Sequence, residues 1–180
     1  MHNTHTHTHT RTRHRKGSSI NPKDHRIHNY WKYDGILLTL ALDIGKRMLP
    51  AFRTKTGIPF GTVNLLTGVP SGETPVASLA GGGTLSLEME LLSRLTGDSS
   101  FGRAAKLAMR SLFDYRSDKL NLFGKHIDVQ NGKWEEENSG IGSNSDSFYE
   151  YLLKHYVLHQ DEDFWIMFKT AYAGIFNNSR

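Results

Sequence analysis

The sequence predicts an all-α chain in which helix pairs stack as a toroid or solenoid, with one β-hairpin inserted and a disordered tail at the N-terminus. Three observations lead there. Apolar residues recur at three- and four-residue steps in five separate stretches, the signature of amphipathic helices. The joins alternate in length, tight within a pair and long between pairs, which is the rhythm of stacked αα units. A single strong hairpin signal, Gln130-Asn131-Gly132-Lys133, sits between the second and third groups of helices. Five helices are too few to close a large ring, so this architecture makes the chain an arc of something longer, with an apolar flank awaiting neighbours.

The first 32 residues stand apart. They carry seven cations and one anion, a charge of +6, while the rest of the chain is at −2 and the whole at +4. Basic character therefore belongs to the tail and not to a folded surface. Seven of the ten histidines lie there too, several in the run His5-Thr6-His7-Thr8-His9-Thr10. Such a tract can chelate a transition metal or neutralise phosphates, but histidines on a flexible strand lack the preorganised spacing of a specific site. A low-complexity disordered leader, or a mistranslated 5′ extension, is the reading its composition favours. Basic residues without a folded reader attract nucleic acid only nonspecifically, so no specific nucleic-acid partner is expected. No 7 to 15-residue apolar stretch follows the cations as a signal peptide requires, and no run approaches the 18 or so residues of a transmembrane segment. Cysteine is absent, which excludes a disulfide scaffold.

From residue 33 to 180 the elements follow in order. Ile36, Leu37, Leu40, Ala41, Ile44, Met48 and Leu49 place a helix over about 34–49, closed by Pro50. Thr62-Val63-Asn64-Leu65 and the Gly68-Val69-Pro70 break suggest short extended pieces in a long loop. Between Gly72 and Gly83 no period is convincing, and Gly81-Gly82-Gly83 offers a backbone that can approach a neighbour closely. A second helix is expected from Thr84 to Leu95, stopped by Thr96-Gly97-Asp98, and a third from about Ser100 to Tyr115; so short a join implies antiparallel packing. Leu120 to Trp134, where Ile127 and Val129 alternate with His126 and Asp128, reads as the hairpin. A fourth helix over about 145–159 is apolar around much of its circumference and so expected to be buried, and the last runs over about 161–176.

Chemistry concentrates at the start of the fourth helix. Asp146 and Glu150 are four apart and share one helical face, beside Phe148, Tyr149 and Tyr151. Carboxylates bind sugar hydroxyls and exchange protons, and aromatic faces accept the apolar side of a pyranose, so this resembles the floor of a polyol pocket. The competing reading is structural. Ser147 with Glu150, and Ser143 with Asp146, both fit capping boxes, and spacing alone favours capping. Glu88, between Leu87 and Met89, is the acid of the second helix that could project inward, whereas Glu90 reads as a solvated charge; a surface position is the default for either. His126, His155 and His159 form no convincing metal triad, because the i, i+4 pair lacks the glutamate of the helical zinc motif. No metal-ligating residue is assigned. Phosphate-binding Gly-rich fingerprints, a Cys nucleophile and a Gly-x-Ser-x-Gly elbow are all missing from the sequence.

Several motifs, in order, resemble glycoside hydrolase family 47, the class I α-1,2-mannosidases. They are Tyr33-Asp34-Gly35-Ile36-Leu37-Leu38 through Leu49-Pro50-Ala51-Phe52, Thr56-Gly57-Ile58-Pro59-Phe60-Gly61-Thr62-Val63-Asn64-Leu65, Leu92-Ser93-Arg94-Leu95-Thr96-Gly97-Asp98, and Asp146-Ser147-Phe148-Tyr149-Glu150-Tyr151-Leu152-Leu153-Lys154. Gly72-Glu73-Thr74-Pro75-Val76, His126-Ile127-Asp128-Val129 and Gly132-Lys133-Trp134 resemble the branch of endoplasmic reticulum degradation-enhancing α-mannosidase-like proteins. The resemblance implies part of an (αα)7 barrel, a calcium ion at its floor, and inverting hydrolysis of α-1,2-linked mannose on N-glycans. It also implies the lumen of the endoplasmic reticulum, and high-mannose glycans of misfolded glycoproteins as partners. Asp146 matches a catalytic aspartate of the family, and Glu150 a substrate-binding acid one turn later. The family's Phe-Glu-Ser/Thr general acid, its Arg-Pro-Glu base and its calcium-anchoring Thr have no counterpart here, and Asn144 stands where the processing enzymes carry Arg. Residues 33–180 are thus expected to be a fragment of the catalytic domain, inactive alone; the alternative is a non-catalytic module that binds mannose or client proteins.

Overall fold

The computed structural model describes residues 35–178. The expectations for the tail and for Tyr33 and Asp34 fall outside that range.

Ile36–Met48 forms α1, which tightens at once into a 3-10 turn over Leu49–Phe52, with Pro50 where a missing N–H costs nothing. Apolar residues lie on two sides of α1. Leu38, Leu42 and Met48 pack inward with the buried Gly45, whereas Leu37, Leu40 and Ile44 are exposed.

In the segment after the turn Asn64 and Gly68 bond each other's backbone as an isolated antiparallel bridge, a short extended contact in the long loop, and Asn64 Oδ1 accepts from the amides of Leu66 and Thr67, which closes the tight turn between them. The aperiodic stretch ending at Gly83 contains two elements, strand β1 (Val76–Ser78) and the short helix α2 (Leu79–Gly83). Ser78 caps α2 through its hydroxyl, which accepts from the Gly81 amide at 3.0 Å. A Cβ on Gly83 would stand 2.4 Å from the Phe148 ring, so the glycine run is what lets α2 lie against the helix bearing Phe148.

Helix α3 covers Ser86–Thr96 and α4 covers Ser100–Asp114; α3 starts two residues later than the sequence suggests. Gly97, at φ 79°, ends α3 in the left-handed conformation that glycine adopts without strain. Strands β2 (His126–Asp128) and β3 (Trp134–Glu136) make the expected hairpin, but both are shorter than the pattern implied. The hairpin is also not free-standing. Strand β1 pairs antiparallel with β2, giving a three-stranded sheet in the order β1-β2-β3. Its turn is a five-residue loop instead of a two-residue one: Asp128 accepts from the amides of Gln130 and Asn131 through Oδ1, and Gly132 takes φ 74°.

Helix α5 (Asp146–His159) and helix α6 (Glu162–Asn178) complete the chain, joined at Gln160 in the left-handed region. The burial expected of α5 holds for only part of it: Phe148, Leu152, His155 and His159 are inside, while Val157 and Leu158 are exposed. Two cores result. Phe52, Met89, Leu92, Phe101, Ala105 and Ala108 join α1, α3 and α4. A larger core built on Met109, Leu112, Phe123, Ile127, Phe148, Leu152 and Phe164 joins the sheet to α4, α5 and α6. Helix α4 contributes to both. The architecture is therefore mostly helical with a small antiparallel sheet, not all-α with a lone hairpin. No helix among the described residues is long and apolar enough to cross a membrane.

Candidate functional site

The approach to α5 is fixed by backbone before any side chain matters. The Ala80 amide at the start of α2 donates to the Asn144 carbonyl at 2.8 Å, and the amides of Ser145 and Asp146 both donate to the Gly142 carbonyl at 3.0 Å. Asn144 takes φ 72°, a left-handed value that asparagine tolerates better than most residues. Ser145 is buried and its hydroxyl has no hydrogen-bond partner. The chain thus enters α5 through a clamped turn that fixes where Asp146 begins the helix.

Asp146 is exposed, and its Oδ1 accepts from the Ser147 amide at 2.9 Å. Glu150, one turn on, is also exposed and holds Lys154 Nζ at 2.7 Å through Oε2. Neither expected capping box forms. Ser147 donates its amide to Asp146 and not to Glu150, and the Asp146 amide is taken by Gly142 instead of Ser143. Both acids therefore stand at an open helix start, where carboxylates are favoured by the helix dipole and remain accessible. A cavity of about 400 Å³ lies elsewhere, beside the sheet, lined by Tyr115, Phe123, Trp134 and Glu137 among others.

The structure brings one further acid toward this end of α5. The Tyr151 hydroxyl donates to Glu88 Oε1 on α3 at 2.8 Å. Burial, then the bond to Glu88 and the charges of Glu88 and Glu150, push the Tyr151 phenol up to about 12, so it remains a donor at any physiological pH. Glu88 is exposed, as the surface default has it, whereas Glu90, expected as a solvated charge, is the half-buried acid of α3. Glu90 accepts from Arg94 Nε at 3.2 Å and lies 3.4 Å from Lys106 Nζ. Burial raises its carboxyl, but the Arg94 hydrogen bond and the Lys106 charge outweigh that and hold it below the usual range. Room for Glu90 comes from Gly102 on α4, where a Cβ would stand 2.3 Å from Oε2.

The three histidines separate as well. His126 pairs through Nδ1 with Glu136 Oε2 at 2.8 Å across the β2–β3 pair, and this bond, with Lys125 nearby, depresses the Glu136 carboxyl. His155 and His159 pack inside, ring to ring at 4.7 Å. Among the described residues no three His, Cys, Asp or Glu side chains are placed to hold a metal ion. The described residues therefore offer no such ligand set for the calcium that the resemblance implies.

The chain matches an alpha-1,2-mannosidase from Trichoderma reesei with a TM-score of 0.69 and 27% identity, covering 79% of this chain and 30% of that one. The chain belongs to glycosyl hydrolase family 47, whose model matches residues 23–180. It is 54% identical over 142 residues to alpha-mannosidase I MNS4 of Arabidopsis thaliana, covering 79% of this chain and 23% of that protein. Identity is 47% over 150 residues to ER degradation-enhancing alpha-mannosidase-like protein 2 of Homo sapiens, covering 83% of this chain and 26% of the relative. The chain spans about a quarter of the length of these curated relatives.

Proposed function

We propose that this chain supplies one carboxylate-bearing sector of an α-mannosidase centre that trims α-1,2-linked mannose from N-glycans of misfolded glycoproteins in the endoplasmic reticulum. The observation that carries the reading is the clamped, open start of α5, which presents Asp146 and Glu150 one turn apart, in a chain matched to the family through residues 23–180. Names of relatives support the context: one is an ER degradation-enhancing alpha-mannosidase-like protein, another a mannosyl-oligosaccharide 1,2-alpha-mannosidase.

In this reading Asp146 is the catalytic carboxylate, with Oδ1 fixed by the Ser147 amide. Inversion needs a second carboxyl, about 6.5–9.5 Å away, to work on the opposite face of the sugar. Glu150, neutralised by Lys154, suits hydrogen bonding to hydroxyls better than proton transfer, and Glu88 with Tyr151 extends the same polar edge. An (αα)7 barrel would supply the missing acid, base and calcium ligands. The 180-residue chain alone then binds mannose weakly and does not hydrolyse it, because one positioned acid without its partners forfeits most of the proximity effect.

The ion pair of Glu150 favours a second reading, a module that binds mannose without turnover. Calorimetric titration with α-1,2-mannobiose, run beside an assay for released mannose, separates the two when repeated on a chain extended to the length of the relatives. Release that disappears with Asp146→Asn supports the enzyme. Binding with no release even in the extended chain supports the module.

A further inference from the structure

The C-terminal half of α5 holds a group that the proposed site does not use. His155 is fully buried, and neither of its ring nitrogens has a hydrogen-bond partner. A neutral imidazole carries one donor and one acceptor, so a ring with both unmet is held by packing alone. That packing is close: the ring stacks on Phe164 of α6 with centroids 3.7 Å apart and planes 17° from parallel. His159 lies 4.7 Å away, 8% exposed, with its Nε2 equally unpartnered.

Charged groups surround the pair but are committed elsewhere. Asp161, in the α5–α6 joint, has Oδ2 at 4.0 Å from His155 Nε2, beyond hydrogen-bond reach, and 3.8 Å from Lys106 Nζ of α4. Glu90 of α3 is held by Arg94 and Lys106. Arg94 also donates to the His159 carbonyl at 3.3 Å, and the His159 ring bonds the Leu87 backbone. A proton arriving on His155 would therefore find its nearest carboxylate, Asp161, at 4.0 Å and shared with Lys106, in a site closed to solvent. The charges of Asp161 and Glu90 favour the proton, and burial, His159 and Lys106 oppose it.

We propose that His155 and His159 form an acid-sensitive latch: neutral, they lock α5 against α3 and α6, and protonation of His155 breaks the stack on Phe164 and loosens the helix whose other end carries Asp146 and Glu150. The inference rests on the buried pair alone and stands whether or not the proposed function does. Its pH window follows from the shifts. Burial, then the charge of His159, pushes the His155 imidazole down to about 4, and burial with Arg94 lowers His159 as well. Once released, an imidazole returns to about 6.5. The loosened state binds more protons between those values, so the closed state loses ground as pH falls from about 6.5 toward 4.

The test uses the full chain. Thermal unfolding is followed from pH 7.5 to 4.5 for the wild type and for His155→Phe, which keeps an aromatic stack on Phe164 and cannot be protonated. The wild type should lose melting temperature across this window, and His155→Phe should lose markedly less while melting no lower at pH 7.5. Histidine ring signals in the wild type, followed by NMR, give a readout that needs no variant: His155 should stay neutral at pH 5.5 while exposed imidazoles titrate. Parallel pH profiles for the two proteins, or a His155 ring that titrates near 6.5 with α5–α6 amide protection unchanged, would overturn the latch.

Discussion

Helix α4 and the two outer helices, α1 and α6, draw on the same apolar residues and arrange them differently. In α4 one face is buried, carrying Phe101, Ala105, Ala108, Met109 and Leu112, and the other is largely charged, with Arg103, Arg110 and Asp114 exposed. Outer helices have apolar residues on two faces. Helix α6 buries Phe164, Met167 and Ala171, yet leaves Ile166, Tyr172 and Phe176 at 55%, 59% and 72% exposure. Its rings continue as a ladder from Tyr156 through Trp165, Phe168 and Tyr172 to Phe176, with successive centroids 5.2 to 6.5 Å apart. Helix α1 does the same with Leu37, Leu40 and Ile44. A helix apolar all round is one patterned for neighbours on both sides. The difference teaches that α4 leaves a single large apolar residue, Leu107, in the open, whereas α1 and α6 each carry a second apolar face that the described residues leave uncovered.

Substitutions sharpen this contrast, beginning where the effect is largest. Phe148→Ala removes a fully buried ring packed on Phe123 at 5.0 Å, and urea unfolding should show a loss of about 3–5 kcal/mol. Glu90→Gln leaves Lys106 and Arg94 without their shared carboxylate and should cost about 2 kcal/mol at neutral pH. Because the Glu90 carboxyl is depressed in the fold, its contribution is present above the ordinary value of about 4.5 and vanishes as pH falls through the folded one. The variant and the wild type should therefore converge in acid. Tyr151→Phe deletes the bond to Glu88 and should cost about 1 kcal/mol. Leu37→Ser, on the open face of α1, should change stability by less than about 0.5 kcal/mol in this chain. A large loss there would mean that the face is already covered.

Much of this was legible in the sequence where a period was long enough to read. Helices α4 and α5 begin and end within a residue of their expected bounds, because fifteen and fourteen residues hold four turns of apolar stripe. Strand β1 was not legible: three residues cannot show an alternation, and the glycines after it show no helical period although they build α2. On α3 the half-burial of Glu90 was not legible, for a tertiary reason. Glu88 looks inward from its apolar neighbours, but the space beside α3 is opened by Gly102, on another helix, and it is Glu90 that fills it. At the candidate site the sequence placed Asp146 and Glu150 on one face, yet gave no sign that Tyr151 would reach Glu88. Capping was the better-supported expectation from spacing; neither box forms, because the Gly142 carbonyl takes the Asp146 amide, yet Asp146 itself accepts the Ser147 amide and so satisfies one orphan donor of the helix start.

The most direct test of the sugar-processing assignment is backbone amide NMR of the full chain during titration with α-1,2-mannobiose. The account predicts saturable shifts concentrated in residues 142–151 and at Glu88, weak in affinity and abolished by Asp146→Asn. Shifts confined to the cavity beside Trp134, or none in residues 142–151 at saturating sugar, would contradict it.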